Sequence, residues 1–416
     1  MKTVTIVSLR HLAIALPLLG MFSGAMAGTV SWRVDPGLGY DSNIYRAPSA
    51  SYIDYGKSCT PQVPSSPSDA CQMRDDGKAH PYTQPVVQAG MFVDANLDGG
   101  YQASLQSKTD FLAEYRFRGR FYADSKYSNA NQYHHTVALG ARHTLNRSGK
   151  LSDSLYVGLK FGKKRRLYLD RDSGEEQVFA NENVSGRYTY DMTGAEVLFK
   201  KRLGKLKYKL GAEFQKRDYV DEVVISEYDH DYLRVGGDVK YPLSKKTKFT
   251  IGYDYSTYDY KDRPSRDQLG RLLRSNPKRK YTYNTVSATL RHRFSRSWLS
   301  YLDYERSQRV DGYQNYDDYT KNTIKLRVRY RWNKDKLKMS VEYWDREYPN
   351  AFAFDNFVKD ISKHYDGINA NVEWVRPYSE RVTLSTGLRV NQENSSDLRY
   401  SYDRYRLSFA MSWKSR

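Results

Sequence analysis

Long apolar runs are rare in this 416-residue sequence. Beyond residue 27, no stretch approaches the ~20 consecutive apolar residues that a membrane-spanning helix needs, and the mean hydropathy of the chain is −0.79. Helical membrane spans are therefore excluded from the body of the chain. Cysteine is equally scarce, with Cys59 and Cys71 as the two representatives, and no suitable metal ligands surround them. A cysteine-based metal site is therefore not expected.

The two cysteines are separated by eleven residues rich in proline and serine. In an oxidising compartment such a pair closes a small loop. We therefore predict a disulfide between Cys59 and Cys71, with two free thiols as the alternative.

The one sizeable apolar run lies at the N-terminus. Lys2 and Arg10 precede apolar residues from Leu12 to Phe22, and Ala25 and Ala27 form a small-x-small cleavage site. This arrangement predicts a secretory signal peptide over residues 1–27, with cleavage after Ala27. A short membrane anchor is the alternative, although the run is shorter than a spanning helix.

Aromatic residues and positive charge are abundant. The chain contains 38 Tyr, 15 Phe and 6 Trp, and its formal net charge is +19. A disordered chain would be poor in aromatics, whereas an exported, polar and aromatic-rich chain is typical of an outer-membrane barrel. The charge indicates anionic partners such as lipopolysaccharide phosphates, acidic polysaccharide or small anions. Nucleic acid is not expected as a partner of an exported protein.

Apolar and polar residues alternate with a period of two from end to end. The clearest case runs from Ile324 to Trp332, where every second residue is apolar or aromatic and Lys or Arg stands between. Successive side chains of a strand point to opposite faces, so the pattern predicts strands with one apolar and one polar face. The alternation changes phase within 184–202, which predicts a β-bulge near Gly194.

Two kinds of connection separate these strands. Seven are short and polar, at 107–110, 146–153, 203–205, 244–248, 295–297, 333–335 and 378–381. Eight are longer, at about 46–84, 124–132, 168–183, 219–229, 262–279, 310–318, 349–363 and 395–400. Short turns at one end and long loops at the other are typical of outer-membrane barrels. We therefore predict an all-β fold: a single antiparallel transmembrane barrel over residues 28–416, with sixteen strands and with fourteen or eighteen as alternatives.

If the apolar face meets lipid, the charged face lines the lumen. The basic residues of that face form two arcs. One arc contains Arg116, Arg118, Arg120, Arg142, Lys160, Lys164, Arg166, Lys207 and Lys209. The other contains Arg291, Arg293, Lys325, Arg327, Arg329 and Arg331. Sixteen strands leave an aqueous channel unless a loop plugs it, and rings of Lys and Arg favour anions. Pairing of these charges with lumenal carboxylates is the alternative interpretation.

Other chemical motifs are weak. Asp170 to Glu176 carries carboxylates at spacings a calcium loop could use, but without the full ligand set. His134 and His135 are adjacent on a strand and should point to opposite faces, so we predict no metal site there. No histidine stands in a recognisable catalytic arrangement. We expect no enzyme activity and no cofactor.

The last strand alternates with particular regularity. Its outward set would comprise Tyr405, Leu407, Phe409, Met411 and Trp413. Together with the signal peptide and the loop asymmetry, this strand resembles those of Gram-negative outer-membrane β-barrels, which implies recognition by the barrel-assembly machinery. Here Lys414 to Arg416 follow the aromatic residue on which the family usually ends.

The first strand also carries a resemblance. Gly39 to Arg46 (Gly-Tyr-Asp-Ser-Asn-Ile-Tyr-Arg) is similar to first strands of barrels associated with exopolysaccharide export and of the barrel half of surface lipoprotein assembly modifiers. The second group carries a helical-repeat domain, and this sequence shows no such repeat, so the translocation activity of that group is not expected here. The resemblance implies a pore in the outer membrane that passes or exports anionic solutes or polysaccharide. The alternative is a plugged or narrow barrel that acts as a surface receptor, an adhesin or an assembly factor for surface lipoproteins.

Overall fold

The period-two alternation folds into long β-strands in the computed structural model of the chain. The structure describes residues 28–415 except 55–70, 74–78, 149–150, 172, 180–181, 221–227 and 355–357. In these described parts, sixteen strands form one closed antiparallel barrel in which each strand pairs with its neighbour in the sequence. The predicted fold class and strand number are confirmed. The signal peptide lies outside the described residues and stays a prediction.

The barrel strands are numbered here in chain order. They are β1 (Gly28–Asp41), β2 (Gly90–Gln106), β3 (Thr109–Tyr122), β4 (Gln132–Ser148), β5 (Leu151–Arg165), β6 (Tyr190–Leu203), β7 (Leu206–Tyr219), β8 (His230–Pro242), β9 (Thr247–Pro264), β10 (Lys278–Arg293), β11 (Trp298–Asp311), β12 (Tyr319–Trp332), β13 (Asp335–Phe354), β14 (Val358–Pro377), β15 (Val382–Ser395) and β16 (Tyr402–Lys414).

Shorter elements decorate the connections. The β1–β2 connection contains a small sheet of Tyr52–Ile53, Ala79–Thr83 and Cys71–Met73, and the β5–β6 connection pairs Val178–Phe179 with Glu182–Asn183. The described 3₁₀ helices are Ser125–Ala130, Ser185–Tyr188 and Leu398–Tyr400. Within the described part of the chain, no helix is long and apolar enough to cross a bilayer.

The first and last strands close the barrel. β1 and β16 pair in antiparallel register, with Val34 opposite Trp413 and Leu38 opposite Phe409. Closure leaves neither strand with an unpaired edge. The barrel predicted from the sequence is therefore closed by its first and last strands.

The connections differ in length between the two ends, as predicted. At one end, at most four residues separate consecutive strands, and two of these turns use the left-handed backbone region, at Gly204 (φ +56°) and Asn333 (φ +49°). Glycine and asparagine tolerate this conformation better than other residues. At the other end, the connections reach 24 residues at 166–189 and 48 at 42–89. Short turns mark the periplasmic end and long loops the extracellular end.

The loop predicted over 349–363 is wrong. β13 continues to Phe354 and β14 begins at Val358, so the two strands extend beyond the loops beside them. Tyr348 and Ala351 of β13 are buried in a cluster with Tyr316 of the β11–β12 connection. This packing against a residue distant in the sequence favours the extension of β13 and β14. The local sequence pattern does not predict it.

The bulge predicted near Gly194 is also wrong. β6 pairs without a register shift with β5 from Tyr190 to Lys200 and with β7 along its whole length. The phase change has a different cause: Tyr190 and Met192 point into the lumen together with Glu196, and the outward positions there are polar.

Apolar side chains cover the outside of the barrel. Leu210, Leu326 and Phe409 are 54%, 48% and 61% exposed, as are many residues at equivalent outward positions. Aromatic pairs lie near the short turns, with ring centroids 4.5 Å apart for Trp298 and Tyr330. An exposed apolar band bordered by aromatic rings is the lipid-facing surface of a membrane barrel. The chain is an outer-membrane β-barrel.

Candidate functional site in the barrel lumen

The strand registers divide each strand into an outward and an inward set. Outward Leu326, for example, lies opposite Leu302 and Val341, while inward Lys325 lies opposite Asp303 and Glu342. By the same registers, thirteen of the fourteen basic residues predicted to line the pore occupy inward positions, and Arg166 directly follows β5. They are Arg116, Arg118, Arg120, Lys160, Lys164, Lys207, Lys209, Arg291, Arg293, Lys325, Arg327, Arg329 and Arg331. Their part in conducting ions stays a prediction.

Six of these cations are neutralised by carboxylates, five of them in the middle of the lumen and Arg120 nearer its extracellular end. Lys160 is the best-connected one, since its Nζ lies 2.6 Å from Glu196 and 2.8 Å from Glu213. The other paired cations are Arg116 and Arg118 with Asp98, Arg120 with Asp94, Lys325 with Glu342 and Arg327 with Asp303. We call these residues the paired belt. For these six cations the structure agrees with the alternative interpretation, in which lumenal cations pair with lumenal carboxylates.

A second group of cations lies at the periplasmic end of the inward wall. We call it the cationic crescent. Its members are Lys200, Arg202, Lys207, Lys209, Lys240, Lys248, Arg291, Arg293, Arg329, Arg331 and Lys336. They belong to seven of the eight strands from β6 to β13, and β11 contributes none of them. The structure shows no ion pair between any of them and a described carboxylate.

The crescent places like charges beside one another. Lys207 lies opposite Lys240, Lys248 opposite Arg291, and Arg331 opposite Lys336. Facing like charges destabilise a sheet, so this arrangement costs folding free energy while it holds a positive potential at the mouth.

The opposite wall at the same depth is mostly uncharged. Its inward positions include Ser31, Gln102, Ser104 and Ser412. Where charge occurs, it is largely paired, as in Arg142 with Asp110 at 2.8 Å. The periplasmic mouth is therefore strongly positive on one side.

Inward tyrosines dominate the extracellular end of the lumen. They comprise Tyr190, Tyr219, Tyr232, Tyr258, Tyr260, Tyr281, Tyr283, Tyr319, Tyr348, Tyr365 and Tyr402. With His230 and Tyr400 they form an unbroken path of ring contacts from β6 to the β15–β16 connection. Its steps are Tyr190–Tyr219, Tyr219–His230, His230–Tyr258, Tyr258–Tyr283, Tyr283–Tyr319, Tyr319–Tyr348, Tyr348–Tyr365 and Tyr365–Tyr400, with centroids 4.9 to 6.2 Å apart.

Arginines lie over these rings. Arg309 is 4.4 Å from the ring centroid of Tyr281 and 4.5 Å from that of Tyr319. Arg217 is 5.4 Å from the rings of Tyr190 and Tyr232. Such cation–π contacts are favourable, and more so where water is excluded. We call the inward tyrosines with Arg217, Arg309 and Arg346 the tyrosine–arginine layer.

Sequence reasoning missed this layer. The period-two pattern groups tyrosine with the apolar, lipid-facing residues, which is correct for Tyr253 and Tyr255 but not for the tyrosines of the layer. The available signal was phase: Tyr258 and Tyr260 are even-numbered like Asp254 of the same strand, so they share its inward face.

One carboxylate anchors the layer from a loop. Asp317 accepts a hydrogen bond from Tyr281 Oη (2.6 Å) and lies 3.6 Å from Arg309 and 3.9 Å from Arg279. Burial alone would raise the pKa of Asp317, but Arg309 and Arg279 hold it below its ordinary value. The carboxylate therefore stays ionised and keeps the neighbouring cations in place.

The β5–β6 connection reaches over the extracellular mouth. The Arg171 guanidinium lies 4.7 Å from the ring centroid of Tyr400, and Gly174 O accepts a hydrogen bond from Asn129 Nδ2 (2.7 Å). Ser173 O accepts another from Gln88 Nε2 (2.9 Å). The segment thus contacts three other connections at the extracellular end.

The weak metal motifs fall in this region and on β4. Asp170 Oδ1 accepts hydrogen bonds from the backbone N (2.9 Å) and Oγ (3.2 Å) of Ser173, so it organises a turn. His134 faces the lumen opposite Lys164, while the outward His135 shares a hydrogen bond with Tyr115 Oη (2.8 Å). Among the described residues, no group of three or more His, Cys, Asp or Glu could hold a metal ion.

The first-strand motif has a structural role at the barrel seam. Asp41 is fully buried and accepts hydrogen bonds from Arg404 Nε of β16 (2.7 Å) and Tyr122 Oη of β3 (2.9 Å). Asn43 Nδ2 donates to Ala47 O (2.9 Å) and to Asp403 O (3.0 Å). These contacts tie the first strand to the last at the extracellular end.

Two further predictions concern the disulfide and the C-terminal strand. Cys59 lies outside the described residues, so its pairing with Cys71 stays a prediction. The last strand presents its alternate residues outward, and all five are exposed: Tyr405, Leu407, Phe409, Met411 and Trp413. Their recognition during assembly stays a prediction as well.

Comparison with known proteins reveals similarity in structure but not in sequence. No family model matches the chain, and no curated protein matches it. A loop L8 deletion mutant of OmpT, an outer membrane protein of Vibrio cholerae, is 9% identical and covers 94% of this chain and 100% of its own, with a TM-score of 0.49. An anion-selective porin from Comamonas acidovorans is 10% identical, with coverage of 94% and 99% and a TM-score of 0.45.

A third solved structure is a bacterial polysaccharide outer membrane secretin. It is 8% identical and covers 92% of this chain and 98% of its own, with a TM-score of 0.43. At this distance, the assignment to the outer-membrane barrels rests on this chain's own registers and lipid-facing band.

Proposed function

We propose that the protein is an outer-membrane pore with a basic lumen that passes or exports anionic solutes or polysaccharide. The observation that carries the proposal is the cationic crescent. Eleven cations of β6 to β13 share the periplasmic end of the lumen. The described inward carboxylates in their rows are Asp238, opposite Lys209, and Glu373, which pairs with Lys338. A sixteen-stranded barrel is wide enough for an aqueous channel.

Both the position and the number of the lumenal cations affect ion selectivity. The paired belt offers nearly balanced charge, so it solvates the lumen without strong preference for either sign. The crescent is unbalanced and faces the water through which every periplasmic ion enters. Clustered charge of one sign raises the local concentration of counter-ions and lowers that of co-ions. The proposed role is passage, and it needs no catalytic group.

Reversal potentials in planar bilayers test this proposal. With a KCl gradient across the refolded wild-type pore, we expect preference for chloride. A Lys200→Gln, Lys207→Gln, Arg291→Gln triple variant removes three crescent charges and should lose much of that preference. Preference of the wild type for potassium would contradict the proposal.

The matched control removes the same charge from the outside. Lys201, Lys216 and Arg306 occupy outward positions of β6, β7 and β11. The Lys201→Gln, Lys216→Gln, Arg306→Gln triple variant should retain the wild-type reversal potential. An equal loss in both triple variants would show that net charge, rather than the crescent, sets selectivity.

One observation favours the alternative of a narrow barrel used as a surface receptor. The β5–β6 connection contacts Tyr400, Asn129 and Gln88 across the mouth. Single-channel recording decides between the two functions. Measurable conductance supports the pore, whereas a closed channel in a protein that binds a surface ligand supports the receptor.

A further inference from the structure

We infer that the tyrosine–arginine layer is a binding subsite for acidic saccharides. The inference deepens the proposed function, on which it rests, by assigning a ligand class and a place within the pore. The layer lies at the extracellular end of the lumen, whereas the crescent lies at the periplasmic end. Along β10, Tyr283 of the layer and Arg291 of the crescent are eight residues, or about 27 Å, apart.

The first argument is the continuity of the aromatic surface. The ring path crosses β6 to the β15–β16 connection without a gap above 6.2 Å between centroids. Several of its rings are only half-buried although they face inward, among them Tyr219, Tyr258, Tyr283 and Tyr319. Their faces are electron-rich, which suits the weakly positive C–H groups of a sugar ring. Their hydroxyls can exchange hydrogen bonds with sugar hydroxyls.

The second argument is the supply of unpaired guanidinium groups. Arg217 and Arg346 of the layer, and Arg171 of the β5–β6 connection beside Tyr400, form no ion pair with a described carboxylate. Arg346 Nε and Arg171 Nη1 are buried and lack a hydrogen-bond acceptor. A buried donor without an acceptor costs free energy. A bound carboxylate, phosphate or sulfate would supply both the acceptor and the countercharge, since guanidinium groups bind such anions in bidentate fashion.

The absence of carboxylate partners indicates that the cations of the layer bind a ligand and do not only pack against the rings. If the layer served only to stiffen the wall, each cation would be expected to carry its own carboxylate, as Arg309 does with Asp317. Arg217 instead contacts Gln215, and Lys321 lies 4.9 Å from the ring of Trp344 with no ion pair to a described residue. The layer thus combines stacking surfaces, hydroxyls and cations that form no direct ion pair with a described carboxylate. Acidic saccharides present the complementary groups.

Trp344 provides a local reporter. It is the inward tryptophan of β13, and its ring lies 5.5 Å from the Arg346 guanidinium. The other five tryptophans, Trp32, Trp298, Trp332, Trp374 and Trp413, occupy outward positions. A change in emission that disappears in the Trp344→Phe variant therefore reports binding within the layer.

The experiment compares an acidic and a neutral oligosaccharide of equal length on the refolded full chain. Hexagalacturonate is the acidic probe and maltohexaose the neutral one. We expect hexagalacturonate to change Trp344 emission and to block single-channel current, with an affinity at least tenfold above that of maltohexaose. Equal affinity of the two probes, or no binding of either, would overturn the inference.

Variants locate the site. The Arg217→Gln, Arg346→Gln double variant should weaken hexagalacturonate binding at least tenfold, and Arg346→Lys should retain part of it. The matched control, Arg329→Gln with Arg331→Gln, removes two charges of the crescent and should leave the change in Trp344 emission nearly intact. Equal weakening in both double variants would show that general attraction, and not the layer, binds the saccharide.

The two proposals fail in distinguishable ways. A chloride-selective pore that binds no acidic saccharide would overturn this inference and leave the proposed function standing. A chain that binds hexagalacturonate at Trp344 but conducts no ions would retain the subsite and contradict the pore. Heat-modifiable migration on gels verifies that each variant is a folded barrel before it is compared.

Discussion

The two ends of the lumen carry positive charge in opposite ways. At the extracellular end, arginines are packed against tyrosine rings, and Arg309 has a buried carboxylate partner in Asp317. At the periplasmic end, the crescent cations stand in rows with like charges opposite each other, as Lys207 and Lys240 do. The paired arginines of the extracellular end stabilise the fold locally, whereas the facing like charges of the periplasmic end destabilise it. The difference shows that a count of basic residues on the inward face does not define what each one does.

The largest expected effect is at the stabilised end. Replacing Asp317 by Ala leaves Arg309, Arg279 and Tyr281 without their common partner, so the free energy of unfolding should fall by about 3 kcal/mol. Urea titration in lipid vesicles, followed by tryptophan fluorescence, measures the change. Asp262→Ala is the control, because the Asp262–Lys278 pair is exposed and should contribute less than about 1 kcal/mol. Similar losses in the two variants would contradict the role given to Asp317.

Acid should weaken the extracellular end selectively. Because the pKa of Asp317 is lowered in the folded state, its ionised form adds stability above about pH 4, the ordinary value for Asp. That contribution is lost as the pH falls through the folded-state pKa. The difference in urea midpoint between wild type and Asp317→Ala should therefore be large at pH 6 and shrink towards pH 2. A difference that stays constant with pH would show that the carboxylate charge is not responsible.

Neutralising the crescent should have the opposite sign. Lys207→Gln with Lys240→Gln removes one facing pair of like charges, so the free energy of unfolding should rise by roughly 0.2–1 kcal/mol. The same urea titration measures it, and the chloride preference should fall in parallel. Loss of stability in this variant would mean that the crescent has partners that hold it in place, and the contrast between the two ends would disappear.

Salt should produce the smallest effect and should separate the ends further. Raising KCl from 0.1 M to 1 M shortens the Debye length from about 10 Å to about 3 Å. The exposed crescent is screened, so chloride preference should decline. Binding of hexagalacturonate in the less hydrated layer should decline less steeply over the same range. Equal salt dependence of the two measurements would place both effects at the mouth.

Much of the barrel was predictable because its signals are local. Period-two alternation, as in Ile324 to Trp332, assigns each residue to one of two faces, and turn lengths locate the strand ends. Consequently, strand number, barrel closure and the inward positions of residues such as Arg291 and Lys325 follow without tertiary information. The seam motif that contains Asp41 and Asn43 shows its family resemblance in the sequence. Its contacts with Arg404 and Asp403 were not predictable, because they form only when the barrel closes.

The failures also have physical causes. Tyr190 and Met192 belong to the inward face because the extracellular part of the lumen is aromatic, whereas apolar residues were assumed to face lipid. β13 and β14 extend past 349–363 because Tyr348 and Ala351 pack against Tyr316, which is distant in the sequence. In both cases the deciding contact joins elements that the sequence pattern treats separately.

The sequence by itself determined that this protein is a closed antiparallel barrel with a lipid-facing apolar set and a basic lumenal set. Alternation is a property of one strand, and it can therefore be read one strand at a time. Only the tertiary structure decided which lumenal cations are neutralised. That outcome depends on the register between neighbouring strands, which brings Lys160 to Glu213 but Lys207 to Lys240. The division of the lumen into a paired belt, a cationic crescent and a tyrosine–arginine layer follows from that register.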